Sequence, residues 1–439
     1  MKTIDYIKKG LKNIGADDFV IEYINGNSEQ IKFANNQIVE NTTWLSANIT
    51  IFAAIKKRII STVINDLTKE SAEGAIKKIA KFSRMIEPNS EYMGIAQGPF
   101  KYKKIEGCFD KKVISVNSDE LVESAINKAL QCGAKRVAGV LEKSSGELAL
   151  TTSGGVDALE KGTHVYLSLR ALAEKDASGH KVCVSRTMKG FDVEKTAEDA
   201  AIIAKNAMNP EQGKPGMYDV IFEPLPFANL LTTVGSSASI FNVESGLSFL
   251  QDKISKKVAS SKFSLIDDPT MPGGFGSMRF DEEGVPTQRN AIIEDGILKT
   301  YLHNTSTAKR HKTKTTANAG LIAPRAINLY LKEGSMDKDE MIKNVKNGLI
   351  VTNVWYTRFQ NYATGDFSTI PRDGIFYIKN GKILGAVKDI RISDSMMNIM
   401  KNCAEICRQS SQVMGWEVDT PVKLAPVLVK NVRVTKSTQ

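Results

Sequence analysis

The 439-residue sequence predicts an α+β protein: an N-terminal α/β part with two helix–strand meander–helix modules, and a C-terminal β-rich sandwich or barrel-like domain with two helices. Three observations predict it. Helical periodicity, then short alternating apolar runs, then a second helical stretch occur twice within the first 210 residues. Residues 209–216, Asn209-Pro210 through Lys214-Pro215-Gly216, then place two prolines and two glycines in eight positions, a strong break. Beyond that break the text is mostly strand. A chain this long exceeds one ordinary core, so the expected divisions are 1–108, 109–214 and 217–439.

Residues 3–14 set Ile4, Ile7 and Leu11 at helical spacing. From Phe19 to about Ile64, the runs FVIEYI, QIKFA, QIVENT, NITIFAAI and IISTVI read as strands of an antiparallel meander. Asn25-Gly26 and Asn35-Asn36 are its expected turns, since these residues tolerate positive φ. Thr68 is a good N-cap for a helix to about Met85, which Pro88 closes. The second pass has a helix at 119–132, strands at 136–141, 147–152, 164–173 and 181–187, and a helix at 193–208. Whether the two modules pack side by side or share one layer is open at this level. In the C-terminal half, strands are expected at 219–222, 326–331, 349–355 and 427–434, with a hairpin over 375–384 turning at Asn380-Gly381. Two helices, about 227–241 and 395–414, interrupt them.

With 42% hydrophobic and 25% charged residues, the composition is that of a globular chain and not of a disordered one. No apolar run is long enough to cross a bilayer, and no membrane partner is expected. The first residues, MKTIDYIKKGLKNIG, are charged throughout and lack an apolar signal-peptide core, so a cytoplasmic location is expected. Five scattered cysteines do not form a disulfide framework. Cys403 and Cys407 are expected one turn apart on a helix face with Met396, Ile399 and Met400, as buried core thiols. The net charge of +10 invites a nucleic-acid reading, but the lysines are interleaved with acids and no binding motif accompanies them. One stretch differs. From Gly296 to Gly320 there is no acid, while Lys299, Lys309, Arg310, Lys312 and Lys314 accumulate, either as a solvated basic loop or as an anion contact.

The most distinctive text runs from Phe263 to Gly320. A short apolar strand stops at Asp267-Asp268-Pro269, and a glycine-rich bend (Gly273, Gly274, Gly276) follows. Then come Phe280-Asp281-Glu282-Glu283-Gly284-Val285-Pro286-Thr287 and a hairpin, Ile292-Ile293-Glu294-Asp295-Gly296-Ile297-Leu298, with Asp-Gly at its turn. A Thr-rich loop after Ala308 closes the stretch. Together with Gly216-Met217-Tyr218-Asp219-Val220 at the start of the last part, these motifs resemble the TldD/PmbA family over nearly the whole chain, and within it the PmbA (TldE) branch.

In the TldD branch the resemblance implies a His-Glu-x-x-x-His helix whose imidazoles bind zinc, with a cysteine ligand near the C-terminus. Here the corresponding helix reads Phe227 to Ser237, with Thr232, Thr233 and Ser237 where ligands and base would stand, give or take one residue. The C-terminal neighbourhood, Val413 to Glu417, has no cysteine. The resemblance thus implies no zinc in this chain, no catalytic residue, and a TldD-like catalytic partner with which it encloses an unfolded peptide, as a homo- or heterodimer. A metallopeptidase with displaced ligands and a modulator of DNA gyrase are the alternatives.

Read as residues, the four histidines give little. His164 and His180 read as surface or sheet positions, and His303 and His311 flank the basic loop without a third ligand at useful spacing. Asp267, Asp268, Asp281, Glu282 and Glu283 read as turn chemistry or, less simply, as an acid/base or hard-cation group. Asp281, His303, Arg310 and Lys312 are the candidate contacts for a peptide or an anion.

Overall fold

The computed structural model describes residues 2–436. Its first layer is one six-stranded antiparallel sheet built from both modules, in the order Arg58–Ile64, Gln37–Ile55, Asp18–Ala34, Arg136–Thr152, Asp157–Glu174 and Ala177–Ser185. Pairing of Asp18–Ala34 with Arg136–Thr152 fuses the modules. Helices Lys2–Asn13 and Lys69–Phe82 bury Ile7, Leu11, Ile76 and Ile79, most of them against Phe19, Ile21, Ile49 and Ile51. Thr68 caps the second of these, its hydroxyl accepting from Ser71 N at 3.2 Å. The opposite face of that half carries Val20, Phe52 and Leu150 and packs on Tyr92, Ile95 and Phe280. Helices Ser118–Gln131 and Val193–Asn206 cover the other half over Val137, Leu141, Val165, Leu167 and Leu169.

The strands are longer than their sequences suggest. Asn35-Asn36 turns, with φ of 50° and 68°, but Asn25-Gly26 does not: Asp18–Ala34 runs straight through it. Gly26 lies opposite Ser46 on one side and Gly146 on the other, and Gly146 opposite Gly162, a row of small residues across the sheet. Two-sided pairing holds the backbone extended where the local dipeptide favours a turn. The same pairing joins the runs at 136–141 and 147–152 into one strand.

In the C-terminal part, strands Gly216–Phe222, Val427–Lys436, Ile390–Ser395, Asp366–Lys379 and Asn347–Asn361 follow one another round a ring that Asn347–Asn361 closes on Gly216–Phe222. The result is barrel-like. A second six-stranded sheet, Ile297–Leu298, Asn290–Glu294, Leu265–Asp267, Leu329–Leu331, Val418–Leu424 and Ser411–Gly415, packs beside it. Asp295 and Gly296 turn the hairpin with φ of 49° and 80°, and Asn380 and Gly381 turn theirs with 48° and 74°. The strand expected at 326–331 is confined to Leu329–Leu331.

Both C-terminal helices differ from expectation. The first is Pro224–Ser237, starting on a proline at N1 and stopping short of a separate turn, Ile240–Glu244; Ser239, extended between them, donates its hydroxyl to Pro324 O at 2.5 Å. The second is only Met396–Lys401. Cys403–Ile406 leaves it as a strand paired with Val427–Val429, so Cys403 and Cys407 do not share a helix face. Both are nonetheless buried, at 2% and 3% exposure. Edge pairing with an apolar strand outweighs the local helical period here. Among the described residues no helix is long and apolar enough to cross a membrane.

Candidate functional site

Helix Pro224–Ser237 is wedged into the C-terminal core through Phe227, Leu230, Leu231 and Val234, all fully buried. Its polar positions, Asn229, Thr232, Thr233, Ser236 and Ser237, recur every three or four residues and so form one polar stripe. That stripe lines a cavity of about 460 Å³, facing Thr357, Arg358, Trp416, Glu417 and Asp419. The fold therefore brings the degenerate motif positions Thr232, Thr233 and Ser237 to the same cavity as the Trp416–Glu417 neighbourhood, far away in sequence.

The groups there are bonded to one another. Thr232 Oγ1 donates to Asn229 O (2.8 Å), Asn229 Nδ2 to Glu417 O (2.6 Å), and Thr357 Oγ1 to Asn229 Oδ1 (2.7 Å). The Glu417 carboxylate accepts from the backbone amides of Tyr356 (3.1 Å) and Thr357 (3.3 Å). Zinc needs about three thiolate, imidazole or carboxylate donors, and hydroxyls and an amide do not replace them. Two carboxylates, Glu417 and Asp419, line the cavity, one already committed. No group of three histidine, cysteine or acidic side chains that could hold a metal occurs among the described residues. These residues do not fit a zinc centre.

A second cavity of about 370 Å³ shares Asn229, Trp416 and Glu417 with the first, making one cleft. Its floor is a polar network that joins the N-terminal sheet to the barrel. Arg170 donates to both Asp373 oxygens (3.0 and 3.3 Å), Ser178 donates to Oδ1 (2.6 Å) and Asn353 Nδ2 to Oδ2 (2.7 Å). Burial opposes the Asp373 charge, but Arg170 and these donors hold its carboxyl below the usual range. His180, expected at a surface or sheet position, lies in strand Ala177–Ser185 beside this network. Burial pushes it down to about 4. Its Nδ1 is 3.1 Å from Asn353 Nδ2, whose amide oxygen accepts from Val354 N, so Nδ1 is the acceptor. Nε2 then carries the proton and donates to Ser168 Oγ at 2.9 Å. That tautomer makes His180 a donor toward Ser168, not its base, and Ser168 is no activated nucleophile. His164 is likewise pushed down by burial, to about 3, and sits edge-on to Phe275.

The other candidates do not converge on one point. Asp281 organises a turn, accepting from Glu283 N, Val285 N and Ala319 N at 2.9–3.0 Å. Asp267 does the same for Ile327 N and Asn328 N. Burial raises the carboxyls of Asp281 and Glu283 above their ordinary range. Six residues of the basic stretch are not loop but helix Thr305–Arg310, closed at its start by a capping box between Asn304 and Thr307. His303 is buried, 5.4 Å from the His311 ring between centroids, and burial lowers it to about 4. Arg310 is ion-paired to Glu244 and Glu91, His311 Nε2 meets Glu244 at 2.6 Å, and Lys309 Nζ donates to Met93 O at 3.1 Å. Arg310 and Lys309 thereby clasp the N-terminal segment to the C-terminal part. Lys312 is exposed, at φ 52°. Sequence reasoning missed the network of Ser168, Arg170, Ser178, His180, Asn353 and Asp373. Its one sequence signal was the alternation of 164–173, which assigns Ser168 and Arg170 to one face of a strand.

The chain is thus an α+β protein whose barrel-like C-terminal part holds a buried helix that presents a polar stripe to a cleft. Residues 215–436 match the family model of the PmbA/TldA metallopeptidase C-terminal domain, and residues 109–208 that of the central domain. The chain belongs to the PmbA/TldD family. It is 26% identical over 440 residues to a metalloprotease of Methanocaldococcus jannaschii, covering 95% of each chain. It is 29% identical over 205 residues to the metalloprotease PmbA homolog of Haemophilus influenzae, covering 47% of this chain and 44% of that one. In fold it is similar to the crystal structure of TldE from Thermococcus kodakarensis, with a TM-score of 0.87 at 20% identity over 99% of this chain and 100% of that one. A Thermotoga maritima structure assigned as a modulator of a DNA gyrase gives 0.88 at 22% identity, covering 99% of each.

Proposed function

We propose that this chain is a TldE-like subunit with no zinc of its own, which pairs with a zinc-bearing TldD-like chain and forms one wall of a chamber for extended, unfolded peptides. One observation carries this reading. The cleft at Thr232, Thr233, Ser237 and Trp416 is open, while it is lined by hydroxyls, an amide and two carboxylates, one of them committed, with no three-ligand group for a metal among the described residues. A scaffold that keeps the shape of a site without its chemistry suits a subunit whose partner supplies the chemistry. The reading as a metallopeptidase with displaced ligands has no three-ligand group to stand on among the described residues. The reading as a modulator of gyrase rested on the basic stretch, and Arg310 and Lys309 are engaged within the chain. Elemental analysis of the purified, metal-replete chain tests the proposal: far less than one zinc per chain is expected, and one zinc surviving dialysis overturns it.

A further inference from the structure

Two of the three tryptophans, Trp355 and Trp416, line the cleft, and they are 45% and 87% exposed. Exposed indole rings beside guanidinium groups have the composition of binding hot spots. The Arg372 guanidinium lies 4.8 Å from the centre of the Trp355 ring, and among the described residues it makes no ion pair. The other charges of the cleft, Asp419 apart, are committed. Arg170 is held by Asp373, Arg358 lies over Tyr356 and 3.7 Å from Glu417, and Glu417 accepts from two backbone amides. His180 is neutral, for the reason given above. The one uncompensated cation of the lining is therefore Arg372, stacked on an indole in a hollow that a second indole also lines, while the uncommitted acid, Asp419, lines the other cavity. The two joined cavities, about 370 and 460 Å³, fall in the ~300–1,000 Å³ range of ligand pockets. A hollow of that size accepts side chains of a chain segment more readily than the face of a folded domain.

We propose that Arg372, Trp355 and Trp416 select peptide segments in which an acidic side chain neighbours an aromatic or large aliphatic one, the carboxylate pairing with Arg372 and the apolar side chain lying between the indoles. The inference rests on the reading of this chain as a peptide-holding subunit. Arginine suits the role because it can bond a carboxylate with two parallel N–H groups while its flat face stays on the ring.

The test is direct binding to the isolated full chain, read by tryptophan emission, with no cleavage required. The probes are an unfolded nonapeptide carrying Glu-Phe pairs and the same peptide with lysine in place of each glutamate. A charge-assisted pair is worth enough to make the acidic peptide bind about tenfold tighter. Arg372→Ala should abolish that difference, Arg372→Lys should keep part of it, and Trp416→Ala should weaken both peptides. Arg372 is exposed, and circular dichroism checks that each variant is folded. Equal affinity for both peptides, no measurable binding of either, or a charge preference that survives Arg372→Ala overturns the inference. So does an Arg372→Ala variant that loses a TldD-like partner while binding peptides as before, which would make this lip a subunit interface. The zinc content of the isolated chain tests the subunit reading independently of all these outcomes.

Discussion

Removal of the Asp373 carboxylate is expected to loosen the joint between the N-terminal sheet and the barrel. The carboxylate is fully buried and accepts four hydrogen bonds, two from Arg170 and one each from Ser178 and Asn353. Arg170 and Ser178 belong to the N-terminal sheet, Asn353 and Asp373 to the barrel. Breaking a buried pair by deleting one partner costs about 3–5 kcal/mol. Arg170 keeps 34% of its side chain in water, so part of its stranded charge is rehydrated and about 2–4 kcal/mol is the better figure. Residue 373 also has φ of 61°, a conformation asparagine and aspartate accept better than alanine does. Asp373→Asn should therefore cost less than Asp373→Ala, about 1–2 kcal/mol, since it keeps the turn and an acceptor while losing the charge. Urea unfolding followed by tryptophan emission measures both. Separation of the single transition into two in the alanine variant would fit loss of the joint. A cost below about 0.5 kcal/mol for Asp373→Ala would refute the reasoning. The pH dependence has a definite sign. The folded carboxyl titrates below its unfolded value, so its stabilisation is present above about pH 4 and lost as pH falls through the folded value; Asp373→Asn should lack that loss.

Glu22 gives the opposite sign. Burial, then the neighbouring Glu282, raises it to about 7, so its contribution is full below the unfolded value and lost as pH rises through about 7. Glu22→Gln should flatten stability over that interval, and an unchanged profile would contradict the assignment. Burial pushes the Cys403 and Cys407 thiols up to about 12 and 11, so a water-soluble alkylating reagent should modify them slowly in the native chain and rapidly in denaturant. Fast native labelling of both would show an exposed dithiol. Gly179 lies in strand Ala177–Ser185 where a Cβ would run into Ala200 O and come within 2.8 Å of Ala204 N. Gly179→Ala should force helix Val193–Asn206 off the sheet and cost about 1–3 kcal/mol in chemical denaturation, and no loss would mean the helix yields freely.

Much of this fold was legible because its signals are local. The Thr68 cap, the hairpin turns at Asp295-Gly296 and Asn380-Gly381, and the break at 209–216 depend on a few adjacent residues. What was not legible depends on partners far away in the chain. Asn25-Gly26 has the text of a turn and is held straight by strands paired on both sides. Cys403 to Ile406 continues a helical period and is captured by Val427–Val429. The site divides in the same way. The degenerate helix could be placed from its motif positions, and with it the apolar stripe that holds it. The network around Asp373 draws on residues 168 to 373, and no window of sequence contains it.

The central claim is that this chain shapes a peptide chamber and supplies no zinc chemistry. The most direct measurement is cleavage of an unfolded peptide by the purified chain alone, by a His-Glu-x-x-x-His relative alone, and by the two mixed. The account predicts chelator-sensitive cleavage only when the relative is present, enhanced by this chain. It also predicts none from a variant carrying Thr232→His, Thr233→Glu and Ser237→His on its own, because no cysteine stands on the Trp416 side of the cavity as third ligand. Chelator-sensitive cleavage by the wild-type chain alone, free of contaminating protease, would contradict it.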